Sequence, residues 1–377
     1  MTSEKTEITY VFGFGRSKLI LSDEKFADEF FYGYFKFLNT DININYIEFE
    51  DNSEIKTPRK ILSLISKVLR KISRLSFFME NICSIKNFKI LWHTKNIVAT
   101  NDRIGISLLP FLIIYKLFKV NKTTVIVMGL LAKQTTNLFS HIIQRILLNI
   151  FFSVGNNFIF LSKSECRQAE VSYKKYTDKF HFVPFCIDTS FWKRDEIEKI
   201  NRTKVLFIGN DGRREYSLVL KIAEALPNYE FILISSNIDK SSIKSPNVEL
   251  IKGSWNKRVL TDEQLKDFYR EGILSIIPIK DTYQPSGQSV ALQSMAMNVP
   301  VMISDTIGFW DKELFKNNNN IFFVENNNLN SWKEGIEKIL NDNSVRNTVS
   351  ENGNKTIKKN YDSNYFYTSL NDILFNS

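Results

Sequence analysis

Between Gln284 and Asp305 the chain reads Gln-Pro-Ser-Gly-Gln-Ser-Val-Ala-Leu-Gln-Ser-Met-Ala-Met-Asn-Val-Pro-Val-Met-Ile-Ser-Asp. That order describes a Ser-Gly loop, a short helix, a turn and a buried strand over residues 299–304. Ala291, Leu292, Met295 and Ala296 recur at helical spacing and would hold the helix against a sheet. Gly287 lets the backbone approach a bound group closely, and the loop amides with the helix start offer N–H donors that suit a phosphate. An α/β domain that binds nothing there has the same order of elements, and the residues alone leave both readings open.

At 377 residues the chain suits two domains of ordinary size, and 43% hydrophobic residues argue against disorder. Cys83, Cys166 and Cys186 form neither a disulfide framework nor a metal-ligand spacing, which fits a reducing compartment. The first seven residues are polar and the apolar run 8–14 is short, so no signal peptide is expected; no window is long and apolar enough for a membrane span. The net charge of +9 is uneven. Residues 1–190 carry 26 Lys and Arg against 17 Asp and Glu, whereas residues 191–377 carry 24 of each. An anionic surface or substrate should therefore meet the first half.

Apolar runs at 8–14, 42–48, 96–100, 125–128, 158–162 and 181–184 read as strands, with a further short strand at 89–93. Residues 28–33 open a helix. After a boundary at 185–202, strands are expected at 205–209, 231–235, 248–252, 273–278, 299–304 and 321–324, and helices at 218–226 and 332–340. Strands alternating with helical stretches imply parallel, doubly wound α/β sheets.

Several of these segments carry a family resemblance. Residues 284–305 resemble the donor-site signature of GT-B glycosyltransferases of the retaining, family-4 kind, in a Ser-Gly-Gln variant. That signature has two glutamates around a Gly-containing loop, an Ala-Met-Ala helix and a Pro-Val strand. Gln293 stands at the later glutamate, and the stretch 284–286 occupies the earlier one with one residue more before the helix. Val183-Pro-Phe-Cys-Ile-Asp-Thr-Ser-Phe-Trp192 is similar to the family's interdomain linker, with Cys186 in place of its usual Gly. Leu206-Phe-Ile-Gly-Asn-Asp-Gly-Arg-Arg-Glu-Tyr216 resembles the first strand and loop of the donor domain, and residues 27–33 the first helix of one subgroup. The resemblance implies two Rossmann-like domains facing a central cleft: 1–190 for the acceptor, 191–360 for the donor, and 361–377 as a helix returning to the first domain.

It also implies roles. Gly209 ends a strand, so Asn210, Arg213 and Arg214 lie at its carboxyl end, where α/β sheets bind ligands. Arg214 falls nearest the family's phosphate-binding Lys, with Arg213 beside it; a solvated Arg pair on a surface loop is the alternative. Gly287 with Ser286, Gln288 and Ser289 would face the β-phosphate. Gln293 would meet the ribose, with polar exposure as its alternative, and Trp255 would lie near the base or pack in the core. In the first half, Gly15 belongs to a Gly-x-Gly loop near the donor. Glu29 and Tyr32 would share one helical face toward the cleft, or simply cap and cover the surface. Asp102 would bind an acceptor hydroxyl or cap a helix. No His follows the strand at 125–128, where many family members carry one, and His93 and His141 read as structural. Carboxylate pairs, nucleophile–histidine arrangements and zinc spacings that would signal a hydrolase are not evident.

Residues 58–75 form the second informative stretch. Plotted as a helix, Ile61, Leu62, Leu64, Ile65, Val68, Leu69, Ile72 and Leu75 occupy one arc of about 160°. Arg59, Lys60, Lys67, Arg70, Lys71 and Arg74, with Ser63, Ser66 and Ser73, occupy the other. Such a helix lies on an anionic membrane, or packs its apolar arc on the sheet and leaves the cations in water. The apolar stretches 108–118 and 142–152 read either way. Nucleic acid is not expected, since aromatic interleaving is missing.

Together these readings describe a transferase using a nucleotide-diphosphate sugar, with no cofactor and no obligatory metal. It would act on a lipid-linked or surface-polysaccharide acceptor at the cytoplasmic membrane face. A GT-B nucleotide-sugar epimerase and a non-catalytic GT-B partner protein are the rivals.

Overall fold

The computed structural model describes residues 6–50, 59–194, 202–253 and 259–376. The chain divides into two compact units: Met1–Glu24 with Phe31–Pro184 and Phe366–Ser377, and Lys25–Phe30 with Phe185–Tyr365.

The first unit is built on strands β1 (Thr6–Phe12), β2 (Ile44–Glu48), β3 (Thr94–Ala99), β4 (Lys122–Val127), β5 (Asn157–Phe160) and β6 (Phe180–Phe182). They form one sheet in the order β2-β1-β3-β4-β5-β6, with every pair parallel. Its helices are α1 (Arg16–Ile20), α2 (Tyr34–Leu38), α3 (Lys60–Ser73), α4 (Ile85–Trp92), α5 (Asp102–Ser107), α6 (Leu109–Phe118), α7 (Leu138–Val154) and α8 (Lys163–Ser172). The second unit contains β7 (Lys204–Ile208), α9 (Tyr216–Ala225), β8 (Glu230–Ile234), β9 (Val248–Ile251), α10 (Asp262–Glu271), β10 (Gly272–Ile277), α11 (Gln288–Ala296), β11 (Val301–Ser304), β12 (Phe322–Val324), α12 (Leu329–Asn341) and α13 (Asn343–Asn360). Helix α14 (Ser363–Phe375) ends the chain, and its residues from Phe366 on belong to the first unit. There Tyr367 packs edge-on to Phe37 of α2.

The second sheet is also wholly parallel, in the order β12-β11-β10-β7-β8-β9. Its strands are near-continuous apolar runs such as Val-Leu-Phe-Ile in β7 because helices cover both faces. In each sheet the winding direction reverses once, between β1 and β3 and between β7 and β10, and α/β sheets hold ligands at the carboxyl ends of the strands flanking that reversal. Helix starts are fastened by side-chain caps: Ser84 on α4, Asn137 on α7, and a Thr261–Gln264 capping box on α10.

Three expectations need correction. Residues 89–93 are not a strand. Ser84 starts α4, and Ile85, Phe88, Leu91 and Trp92 recur at helical spacing, with Leu91 fully buried. Residues 28–33 are not one helix: a 3-10 turn over Glu29–Phe31 ends where Tyr32 (φ 51°) and Gly33 (φ 82°) turn left-handed. Glu29 and Tyr32 therefore share no helical face, and they belong to different units. Third, the alternative that packs the apolar arc of residues 58–75 on the sheet holds only in part: Leu75, past the end of α3, is fully buried and Ile72 half-buried, but the centre of the arc faces water. The inward seam of α3 consists of Ser66 and Ser73, both 0% exposed, with the half-buried Leu62 and Leu69, while Ile61 is 69% and Leu64 64% exposed.

Polar bonds fix that orientation. Ser66 Oγ accepts from Met79 N at 3.1 Å, and Gln144 Nε2 of α7 donates to Ser73 O at 2.9 Å. Arg59 pairs with Glu50, and Arg70 lies 3.7 Å from Glu80 and 4.2 Å from the Phe78 ring centre. Of the six cations on this helix and its caps, Lys60, Lys67, Lys71 and Arg74 remain exposed. Ser66→Leu is therefore expected to cost about 1–3 kcal/mol through overpacking, whereas Leu64→Ser should stay within about 0.5 kcal/mol of the parent. Chemical denaturation of both variants checks which arc is buried.

Candidate functional site

At the reversal of the second sheet, the loops following β7 and β10 are zipped together. Glu215 N donates to Pro278 O at 3.0 Å, Lys280 N to Arg213 O at 2.9 Å, and Arg214 and Ile279 form an antiparallel bridge. This turns the Arg214 side chain back over Gly209, leaving it 4% exposed. A Cβ on Gly209 would sit 2.5 Å from Arg214 Nε and 2.8 Å from its Cγ, so glycine alone admits the side chain. The guanidinium also passes beneath Gly287, where a Cβ would lie 3.6 Å from Arg214 Nη1 and 2.7 Å from Ile277 Cγ2. Gly287 has φ +80° and caps α11, a conformation L-residues rarely adopt.

Arg214 Nη1 lies 3.1 Å from Asp211 Oδ2, yet neither its Nε nor its Nη1 has a hydrogen-bond acceptor, and the buried hydroxyl of Ser286 likewise has no partner. Burial lowers the guanidinium's pKa from its ordinary value, opposed chiefly by the Asp211 carboxylate. Arg213 is half-buried and ties Asp211 to Gln284 through its N–H and Nε (2.8 and 3.2 Å). Asn210 serves the neighbouring loop: its Oδ1 accepts from Ser236 N at 2.6 Å, and its carbonyl accepts from Asn237 Nδ2 at 2.9 Å. Helix α11 is buried almost throughout, with Ser289 half-buried at its start. Ser294 Oγ bonds Ser275 Oγ of β10 at 2.8 Å, and Asn354 of α13 donates to the carbonyls of Met295 and Ala296. Helix α11 is thus tied to β10 and α13 through its C-terminal half. Trp255 lies outside the described residues.

Gln293 is 1% exposed and belongs to a buried polar chain. Tyr269 OH donates to Gln293 Oε1 at 3.0 Å, and Gln293 Nε2 donates to Glu29 Oε1 at 2.8 Å. Trp192 Nε1 donates to the same carboxylate oxygen at 2.9 Å. All four residues lie in the second unit. Burial pushes the Glu29 carboxyl up to about 8, against the two donors, which favour the charged form. Neither Trp192 nor Tyr269 was marked as a partner by the sequence.

In the first unit the candidates are engaged by the chain itself. Gly15 (φ 92°) precedes α1, whose first N–H groups, with the Ser17 hydroxyl, are held by the Glu48 carboxylate. The cap of α5 is Asn101, which accepts from Ile104 N at 2.9 Å; Asp102 pairs instead with Lys133 at 2.6 Å. Glu165 fastens the loop after β4 by accepting from Gly129 N and Leu131 N at 2.8 and 2.9 Å, and burial raises its carboxyl to about 7.

Because the pKa of Glu29 is higher in the fold than in the open chain, its contribution to stability is complete below the ordinary carboxylate range. It is lost as pH rises toward about 8. The Tm difference between the parent and Glu29→Gln should shift against the parent from acid to pH 8 and then level off. Glu29→Ala, which strands two buried donors, should cost about 3 kcal/mol near neutrality. Thermal melts across pH read both.

Residues 255–356 match the family described as Glycosyl transferases group 1. The chain is 25% identical over 149 residues to the capsular polysaccharide biosynthesis glycosyltransferase CapM of Staphylococcus aureus, a match covering 39% of this chain and 37% of that protein. Among solved structures, sucrose-phosphate synthase from Thermosynechococcus elongatus superposes with a TM-score of 0.68 at 12% identity, over 97% of this chain and 98% of that one. Anabaena HepE, solved in complex with UDP, superposes with a TM-score of 0.64 at 11% identity, over 98% and 100% of the two chains. The chain therefore has the two-domain GT-B fold and carries, in its second half, a region matching group 1 glycosyl transferases.

Proposed function

We propose that this protein is a glycosyltransferase that moves a sugar from a nucleotide-diphosphate donor, with retention of configuration, to a lipid-linked or surface-polysaccharide acceptor at the cytoplasmic membrane face. One observation carries the reading. A guanidinium is buried beneath the start of a rigid helix, at the sheet reversal, with two nitrogens and an adjacent serine hydroxyl lacking acceptors. Leaving such groups unsatisfied is costly, and an anion at the start of α11 would answer the cation's charge. A diphosphate suits such a place, because a helix start offers backbone N–H donors to an anion. HepE was solved with UDP and with UDP-glucose, and CapM is named for capsular polysaccharide synthesis.

In this reading Arg214 and the α11 start stabilise the charge that develops on the departing diphosphate. The bond from the sugar's anomeric carbon to the phosphate oxygen breaks while the acceptor oxygen bonds to that carbon on the same face. The acceptor's proton passes to the leaving phosphate, so no enzyme base is required. Arg213 would support the loop. Gln293 orders the helix through Glu29 and Tyr269, whatever contact it makes with the ribose. No resident cofactor or metal enters the scheme.

UDP-, GDP-, ADP- and dTDP-sugars should be compared by thermal shift. One nucleotide class should raise the Tm, and Arg214→Ala should weaken its affinity by about 10–100-fold, as expected for a charge-assisted contact. Gly209→Ala should do the same without removing a ligand contact, because the added methyl displaces the guanidinium. Turnover should persist in EDTA. A panel in which no member shifts the Tm removes the donor-site reading, and donor conversion without an acceptor identifies an epimerase.

A further inference from the structure

Three neighbouring helices of the first unit leave an unusual amount of apolar surface in water. On α3, Ile61, Leu64, Ile65 and Val68 are exposed, spaced as one helical face. Helix α7 packs against α3 and exposes Leu138, Phe139, Ile142, Ile146 and Ile150. Helix α6, packed against α7 in turn, exposes Ile113, Ile114, Leu117 and Phe118. Scattered apolar residues on a surface need no explanation, but adjoining faces on packed helices mark an interaction site.

The chemistry around these faces selects the partner. None of the three helices contains an Asp or Glu. Lys60, Lys67, Lys71 and Arg74 on α3, Lys116 on α6 and Arg145 on α7 are all exposed. Among the described residues, Glu50 and Glu80 beside α3 are taken by its inward cations Arg59 and Arg70. An apolar surface set among cations suits a surface that is apolar inside and anionic at its edge, as a lipid leaflet with acidic headgroups is. A second copy of this chain would bring the same cations face to face.

We infer that the outward faces of α3, α7 and α6 form one membrane-docking surface, inserted at the headgroup–acyl boundary of an anionic leaflet. The inward seam of α3 explains how the fold permits this. By packing through Ser66 and Ser73, the helix anchors to its unit with small polar residues and keeps its large apolar side chains for the lipid. No helix among the described residues is long and apolar enough to cross a membrane, and none is needed for docking in the interface. This inference deepens the membrane-face part of the proposed function and rests on it only for the choice of leaflet.

The test is flotation of the full chain with phosphatidylcholine vesicles, with and without phosphatidylglycerol, at low and high salt and without donor or acceptor. Binding should require the anionic lipid and weaken with salt. Leu64→Ser/Val68→Ser, Ile142→Ser/Ile146→Ser and Lys67→Glu/Lys71→Glu should each lower the partition coefficient by roughly tenfold or more with unchanged thermal melts. Failure of the parent to float with anionic vesicles overturns the inference. So does a concentration-dependent dimer, seen by sedimentation, that the same substitutions abolish. Because no turnover is read, either outcome leaves the donor-site experiment independent.

Discussion

The Arg214 side chain folded over Gly209 is the contact on which the geometry of the candidate phosphate site depends. It exists because the loops after β7 and β10 are bonded to each other and leave the side chain only one direction, back across a residue with no Cβ. A buried cation is costly unless something answers its charge. Among the described residues its ion pair is with Asp211, whose side chain is 43% exposed and lies 3.1 Å from Nη1. The same nitrogen, Nη1, lies beneath Gly287 at the start of α11, while Nε lies over Gly209. The site is an electrostatic deficit built into the second unit before any ligand arrives, and its rigidity comes from the burial of α11 between β10 and α13.

The second constraint is the polar chain Tyr269–Gln293–Glu29–Trp192. A carboxyl 3% exposed survives there because two side-chain donors converge on one of its oxygens, while burial keeps its proton on up to about pH 8. A glutamine at 293 suits that arrangement: its carbonyl accepts from Tyr269 while its amide donates to Glu29, which a carboxylate at the same position would not do. Gln293 is thus matched to a carboxyl carried by a segment far upstream.

How legible each feature was follows from the range of the interactions behind it. Parallel strands covered on both faces are continuous apolar runs, so each of the twelve strands among the described residues overlaps an apolar run visible in the sequence. Residues 89–93 were misread because a short apolar run looks the same in a strand and in a buried helix, and the cap at Ser84 lies five residues upstream. The Gly209–Arg214 loop and the helix after Gly287 were visible as motifs. The partners of Glu29 were not, since they lie 163 and 264 positions away. The amphipathic character of α3 was plain, but its orientation was not, because both arcs contained residues able to pack.

The sequence by itself determined the class of fold, two doubly wound α/β units, and the loop and helix that hold the candidate phosphate site. Those depend on local periodicity, on glycine where φ is positive, and on runs of apolar residues, all of which are written along the chain. Only the tertiary structure decided which side of α3 is buried, that Asn101 caps α5 and frees Asp102 to pair with Lys133, and that Glu29 meets Gln293. Each of these is a competition between partners brought together by the fold, and the winner is set by geometry that no spacing in the chain encodes.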